Sequence, residues 1–481
     1  MRKKNIYERI EHGNHHVLFA AVPLILFFCL YYVTRFGIGV TPDSTFYISA
    51  ARSIAQTGEI RSIWGGTKMD YLTHYPPCYP VVIFLFNLIV ENTYEAVRFL
   101  NCAMIALTSW MIAYQVKVYA RNYTAVVAQI VIFLSIPLFE VYQMAWSEGV
   151  FIFFSVYGMF TLIRAIERKN NKLFFFSAIL TAIAVGTRYA GITLIISNVV
   201  ILIWLFRDDT LLKRILKAIL HGGISISIFA FWFIRNQLLS HNPTDRSFAF
   251  HPMGLEYLES FLNCTANYFI PINFGSKESM IIGALLSLLL LYVFYYFLKK
   301  GNLFIVRFFT CQGLIYLIFI SVSNTFFDYT PFYPRTLQPL YLPITFTAIF
   351  YFFHLRTEIS KYFKIVFVLY LMLMVVQFFK SVIRVNDGRE YASQAYKIPA
   401  TIKALNSIPN HSKVFSNEVD RIYYLTDIVT DWQQEFSYKK GSYLIMFKNG
   451  RSYIGNEFSD ASHHWQGVYD SKDVIIKKVI D

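Results

Sequence analysis

The sequence predicts an all-α polytopic membrane protein of about eleven transmembrane helices, followed by a small α/β unit, and three observations lead there. Of 481 residues, 56% are hydrophobic and 15% charged, with a mean hydropathy of +0.43. Soluble domains carry roughly 25% charged residues. The apolar residues also fall into runs close to the ~20 residues that a helix needs to cross a bilayer. From about Val385 onward these runs stop, and short strand-like segments bounded by turn residues replace them. Lys and Arg total 44 against 30 Asp and Glu, a net charge of +14. In a polytopic chain this excess reads as basic cytoplasmic loops, so no nucleic-acid partner is expected.

The first run, Val17 to Gly39, follows a basic N-terminal segment and is too long for a signal-peptide core, so it reads as an uncleaved span. Further spans are expected at Val97 to Val118, Tyr123 to Phe139, Val150 to Ile166, Leu173 to Gly186, Ile192 to Phe206, Ile215 to Ile234, Met280 to Leu298, Leu303 to Val322, Leu337 to His354 and Phe363 to Val382. The proline-rich stretch Pro76 to Val90 is shorter and reads as a membrane-skimming helix. With that segment outside the count, the linkers carrying Lys117 and Arg121, Arg164 to Lys172, Arg207 to Lys217, Lys299 to Arg307 and Arg356 to Lys364 share one side with the basic N-terminus. The positive-inside rule makes that side the cytoplasm of an inner-membrane protein. The tail and the loops 40–96, 140–149, 187–191, 235–279 and 323–336 are then extracytoplasmic. Two domains follow: a membrane body, 1–384, and an outer α/β domain, 385–481, in which HSKVFSN, DRIYYLTD and SYLIMFKN read as strands. Of the five cysteines only Cys78 and Cys264 fall on the outer side, where a bridge between them is conceivable.

The outer face collects the chemically capable residues. In TPDSTFYISAARSIAQTG, Asp43 opens a short helix and Tyr47 follows one turn later. Asp43 reads either as a helix cap or as a functional carboxylate. Glu148, in WSEGVF, stands at the mouth of the next span with no basic neighbour in sequence, as a dipole partner or a second functional acid. Arg188, Arg235, Arg246 and Arg335 lie on the side that should be poor in cations. One alone could snorkel, whereas a group suits an anionic ligand, because the guanidinium fork binds phosphate bidentately. His74, Tyr75 and Tyr79, among three prolines, are candidates for substrate contact or for an aromatic belt. No histidine spacing indicates a metal site.

These motifs, with GTRYAG, IRN and YPRTLQPLYLP, resemble in order and spacing the GT-C superfamily of polyprenyl-phosphate-dependent membrane glycosyltransferases. The nearest resemblance is to the protein O-mannosyltransferase and lipid A aminoarabinose transferase group. It implies a first outer loop with juxtamembrane helices, Asp43 contacting the acceptor nucleophile, and Glu148 as the second-loop acid. The chain departs in having Asp43-Ser44 for the usual Asp-Glu pair, and Glu148 where Asp is common. A divalent metal held by Asp43 and Glu148 is therefore left open. The expected activity is transfer of one sugar, with inversion, from a polyprenyl-phosphate donor in membrane lipid to an acceptor hydroxyl of a lipid, glycan or protein. Asp43 would act as base, Arg335, Arg235 and Arg188 would bind the phosphate, and Tyr47, His74, Tyr75 and Tyr79 would contact substrate. The competing reading is a polyprenyl-linked lipid flippase or transporter without covalent chemistry. Against it, the sequence has no internal repeat and its ionisable residues gather on one face.

Overall fold

The computed structural model describes residues 15–63, 69–205, 209–240, 243–245, 248–270, 272, 275–300, 303–327, 331–354, 361–409, 412–432, 438–448 and 464–480. The basic N-terminal segment, Arg207, Arg246 and Arg356 lie outside them. A helix stands at every expected span, and the arrangement is that of an integral membrane protein. They are α1 (His15–Val33), α4 (Thr93–Tyr119), α5 (Asn122–Phe133) with α6 (Ile136–Tyr142), α7 (Glu148–Glu167), α8 (Asn171–Thr187), α9 (Ile192–Trp204), α10 (Leu211–Ser240), α12 (Ser276–Lys300), α13 (Phe304–Phe326), α14 (Pro334–His354) and α15 (Lys361–Ile383). Among the described residues, six helices meet a span's length and apolarity on their own.

The expected span Tyr123 to Phe139 differs: it is broken at Leu134 and Ser135, where α5 and α6 meet at 73°. Pro137, in the first turn of α6, has no N–H to continue the α5 ladder, and its ring restricts the preceding residue, so the chain restarts in a new direction. The core between helices is aromatic. Phe160 of α7 meets Phe309 of α13 at 5.2 Å and Phe346 of α14 at 5.2 Å, with the rings edge to face.

The first outer loop forms α2 (Pro42–Thr57), a two-stranded ribbon of β1 (Arg61–Ser62) with β2 (Asp70–Tyr71), and α3 (Cys78–Asn87). Thr41 and Ser44 cap α2 reciprocally, with Thr41 N–H donating to Ser44 Oγ at 3.1 Å. Gly58 ends the helix at φ 74°, a conformation that costs glycine nothing. Helix α3 is ten residues, about 15 Å long, half of a hydrocarbon core and too short to cross it. The two outer loops that carry Asp43 and Glu148 are stitched together directly: Gly39 N–H donates to Gln143 O at 2.9 Å and Ala145 N–H to Gly39 O at 2.8 Å. A Cβ at Gly39 would stand 2.4 Å from Met144 Sδ and 3.0 Å from the Gln143 carbonyl. Gly39→Val is therefore expected to push the loops apart and lower stability by about 1–3 kcal/mol, read as a lower thermal midpoint in lipid.

Beyond α15, the chain forms a five-stranded sheet in the order β4 (Asp431–Trp432), β3 (Val414–Ser416), β5 (Tyr443–Phe447), β7 (Val474–Val479), β6 (Trp465–Asp470). The β3 strand runs parallel to β4 and β5, and the remaining pairs are antiparallel. Helices α16 (Pro399–Asn406) and α17 (Val419–Thr426) accompany it. Thus DRIYYLTD is a helix rather than the expected strand. Its apolar residues Val419, Ile422 and Tyr423 are buried at i, i+3 and i+4, and Asp427 ends it in the left-handed region at φ 60°. Cys78 and Cys264 are free thiols, so the conceivable bridge is absent; Cys264 Sγ instead donates to Phe332 O at 3.3 Å.

The sheet unit docks on α2. Tyr391 N–H donates to Val40 O at 3.1 Å, and Arg52 donates to Asp427 Oδ1 at 2.5 Å. Phe46 and Ile63 pack against Tyr423. Arg421, fully buried, sits between Glu418 and Asp473 and lies over the Phe447 ring at 3.9 Å. Asp420 is buried and accepts from Tyr391 Oη at 2.5 Å. Burial pushes its carboxyl above the usual range, against the pull of that hydrogen bond, and the charge of Asp43 adds to the rise. A carboxyl raised on folding stabilises the folded state below its unfolded value and loses that contribution as pH rises through the folded value. Asp420→Asn is therefore expected to flatten the fall in stability above pH ~4, read from thermal unfolding across pH 4 to 8.

Candidate active site

Thr41 and Pro42 start α2 so that Asp43, in its first turn, projects from the helix end beside the second outer loop. Two donors fix its carboxylate: Tyr75 Oη donates to Oδ1 at 2.9 Å and Arg335 Nη1 to Oδ2 at 3.0 Å. Arg335 comes from the first turn of α14, and its guanidinium lies over the Trp146 ring at 4.6 Å. Trp146 is anchored in turn, since its Nε1–H donates to Thr41 Oγ1 at 2.8 Å. One residue from each of three sequence-distant segments thus meets at the cap of α2.

Glu148, in the first turn of α7, is buried and ion-paired with Arg188 at the end of α8. Glu148 and Arg188 are near enough to act electrostatically on Arg335, so the two pairs form one cluster of two carboxylates and two guanidiniums. Tyr47 lies behind it. Its hydroxyl is 3.4 Å from Ser147 Oγ, and its ring contacts Tyr75 at 4.7 Å and Tyr79 at 4.9 Å. Burial first, and then the charge of Asp43, raises the Tyr75 and Tyr47 hydroxyls, which keeps Tyr75 protonated as a donor to Asp43. Tyr79 is fully buried and supports this layer from behind.

Two expected residues stand elsewhere. Arg235 donates to the Leu72 carbonyl at 3.2 Å and to Asn236 Oδ1 at 2.8 Å, and its guanidinium packs over Tyr71 and Trp232. It clamps the first outer loop to α10. His74 contacts the Tyr75 ring at 4.7 Å, with its Nδ1 4.0 Å from Asp245. Sequence reasoning missed Trp146, which reads as one more interfacial aromatic. Its place immediately before the Ser147-Glu148 pair was the available signal. Among the described residues no group of three His, Cys, Asp or Glu side chains gathers, and Asp43 and Glu148 each face a guanidinium. This donor set does not fit a resident divalent ion.

An apolar cavity of about 360 Å³ lies between α11 (Leu255–Phe269), α12, α13 and α14, lined by Tyr257, Leu258, Phe261, Leu291, Phe332 and Leu340 among others. Phe332 brings its wall close along the chain to Arg335. Of its lining, Leu258 and Leu291 are half exposed.

Comparison with known proteins bears on the fold. A family model described as dolichyl-phosphate-mannose-protein mannosyltransferase matches residues 74–234. ArnT from Cupriavidus metallidurans in the apo state is similar in structure at a TM-score of 0.52 and 10% identity, over 96% of this chain and 97% of that one. The same protein bound to undecaprenyl phosphate gives 0.50 and 11%, with 96% and 97% covered. The oligosaccharyltransferase AglB from Archaeoglobus fulgidus, in complex with an inhibitory peptide and a dolichol-phosphate, gives 0.54 and 10%, over 89% of this chain and 69% of that one. No curated protein sequence matches the chain. The chain therefore has the fold of the GT-C membrane glycosyltransferases, as its motifs led one to expect. Within that fold, residues 74–234 are the part that matches the mannosyltransferase family model.

Proposed function

We propose that this protein is an inverting glycosyltransferase that moves a sugar from a polyprenyl (undecaprenyl or dolichyl) phosphate to an acceptor hydroxyl at the outer face of the cytoplasmic membrane. The observation that carries this reading is the charge cluster of Asp43, Arg335, Glu148 and Arg188, in a fold that also holds an apolar cavity whose wall residue Phe332 is three positions from Arg335 in sequence. A lipid-phosphate donor has the matching division, an anionic head and a long apolar tail. Similar folds with undecaprenyl phosphate or dolichol-phosphate bound support it.

In the proposed reaction, Asp43 takes the proton of the acceptor hydroxyl as its oxygen attacks the anomeric carbon. The bond from that carbon to the phosphate oxygen breaks, and its electron pair leaves with the polyprenyl phosphate. Arg335 and Arg188 stabilise the growing charge, while Glu148 holds Arg188 in place. Attack opposite the leaving group inverts the anomeric centre. Tyr75 orients Asp43, and Tyr47 and Tyr79 back it. Arg235 and His74, which contact other parts of the outer loops, are read as supports of the loop. The charge bias of the sequence gives the orientation: about eleven spans, the N-terminus in the cytoplasm, and residues 385–481 as an extracytoplasmic domain over the acceptor side.

The test is transfer by the purified full-length protein in lipid, with a panel of radiolabelled polyprenyl-phosphate sugars and a mixed acceptor extract. Label from one donor is expected to leave the lipid and enter an acceptor. Intact donor crossing the bilayer, with no label transferred, would replace this reading by the flippase.

A further inference from the structure

The two arginine–carboxylate pairs are not equivalent. Glu148 keeps 4% of its side-chain surface and Arg188 24%, whereas Asp43 and Arg335 keep 30% and 33%. The deep pair is fixed, because separating it would strand a buried charge. The outer pair is open to an arriving ligand, and it carries a conflict. If Asp43 is the base, the guanidinium on Oδ2 and the Tyr75 hydroxyl on Oδ1 crowd both oxygens that could take the proton. If Arg335 is the phosphate ligand, the same bond holds its fork away from the phosphate.

Trp146 offers the resolution. Arg335 Cζ lies over its ring at 4.6 Å, and a cation held over a π face rather than by hydrogen bonds to it keeps its N–H groups available to change partner. The indole itself cannot follow, since Nε1–H is tied to Thr41 Oγ1 at 2.8 Å in the cap of the helix that carries Asp43. Asp43 loses less than full pairing when Arg335 leaves, because Tyr75 Oη still donates to Oδ1 at 2.9 Å.

We propose that Trp146 is a positioning residue on which Arg335 exchanges the Asp43 carboxylate for the donor phosphate, so that donor binding itself frees the base. This rests on the transferase reading and adds an order to it: the lipid-phosphate donor binds before the acceptor is activated. Hydrolysis of donor is suppressed in the same way, because no base is free until the donor is seated with its phosphate on Arg335.

The test measures binding of undecaprenyl phosphate to the full chain in phosphatidylcholine nanodiscs, independently of turnover. Asp43→Asn removes the competitor for Arg335 and is expected to tighten binding about tenfold, a gain that vanishes in an Arg335→Gln background. A gain of equal size in both backgrounds, reflecting only the loss of a like charge near the phosphate, would overturn the exchange, as would no gain at all. The second readout is spectroscopic. The indole emission change on adding undecaprenyl phosphate should disappear in Trp146→Phe, which retains an aromatic face and still binds. Persistence of the whole change in Trp146→Phe would contradict the role given to Trp146. Failure of wild type to bind the lipid at all would overturn the transferase reading as well, which separates the two failures.

Discussion

Asp43→Asn is expected to lower sugar transfer by about 10²- to 10⁴-fold while leaving the protein folded. The amide keeps the shape of the carboxylate, and its oxygen still accepts from Tyr75 Oη, so the α2 cap and the aromatic layer behind it have no reason to rearrange. What it lacks is the basic carboxylate oxygen that takes the acceptor's proton. The loss therefore falls on the chemical step, with donor binding tightened rather than weakened, and thermal unfolding beside wild type serves as the control. Full turnover in a folded Asp43→Asn protein would reduce Asp43 to a helix cap.

Glu148→Ala is expected to act on stability as well as rate. It leaves the Arg188 guanidinium uncompensated near the base of the cluster, and removal of one partner of a buried ion pair costs about 3–5 kcal/mol. The lower end applies, about 3 kcal/mol, because Arg188 retains some contact with solvent. The double variant Glu148→Gln/Arg188→Gln removes both charges and should recover much of the thermal midpoint without recovering transfer. Stability restored together with activity would show that the pair only holds the helices in place.

The helices of the membrane body were legible because bilayer insertion leaves a strong signal: each expected span but one falls on a single apolar helix. The break between α5 and α6 was less legible, since the run from Tyr123 to Phe139 is uniformly apolar and Pro137 alone marks the turn. In the site, Asp43, Glu148, Arg188 and Arg335 stood out for one physical reason, that ionisable groups at the mouths of spans are costly and uncommon. Arg235 satisfied the same criterion and is nevertheless a clamp on backbone carbonyls, a distinction that only three-dimensional partners can draw. Trp146 and Asp420 were harder to read for the complementary reason. An interfacial tryptophan has an ordinary explanation in sequence, and nothing local to Asp420 places it within the field of a residue almost four hundred positions away.

DRIYYLTD is too short for its residue period to separate a strand from a helix. Eight residues with Ile422, Tyr423 and Tyr424 satisfy a strand's composition, while their burial follows the helical period. That helix matters beyond its own fold, because Tyr423 packs on Phe46 and Asp427 receives Arg52, both from α2. The sheet unit thereby braces the helix whose first turn presents Asp43.

The most direct test of the central claim is a single-turnover reaction in proteoliposomes, once the donor sugar is known, with the product's anomeric configuration read by NMR and free polyprenyl phosphate quantified alongside. The account predicts one polyprenyl phosphate released for each sugar transferred, with the anomeric centre inverted. Retained configuration, or donor consumed without matching phosphate release, would contradict direct displacement with Asp43 as base.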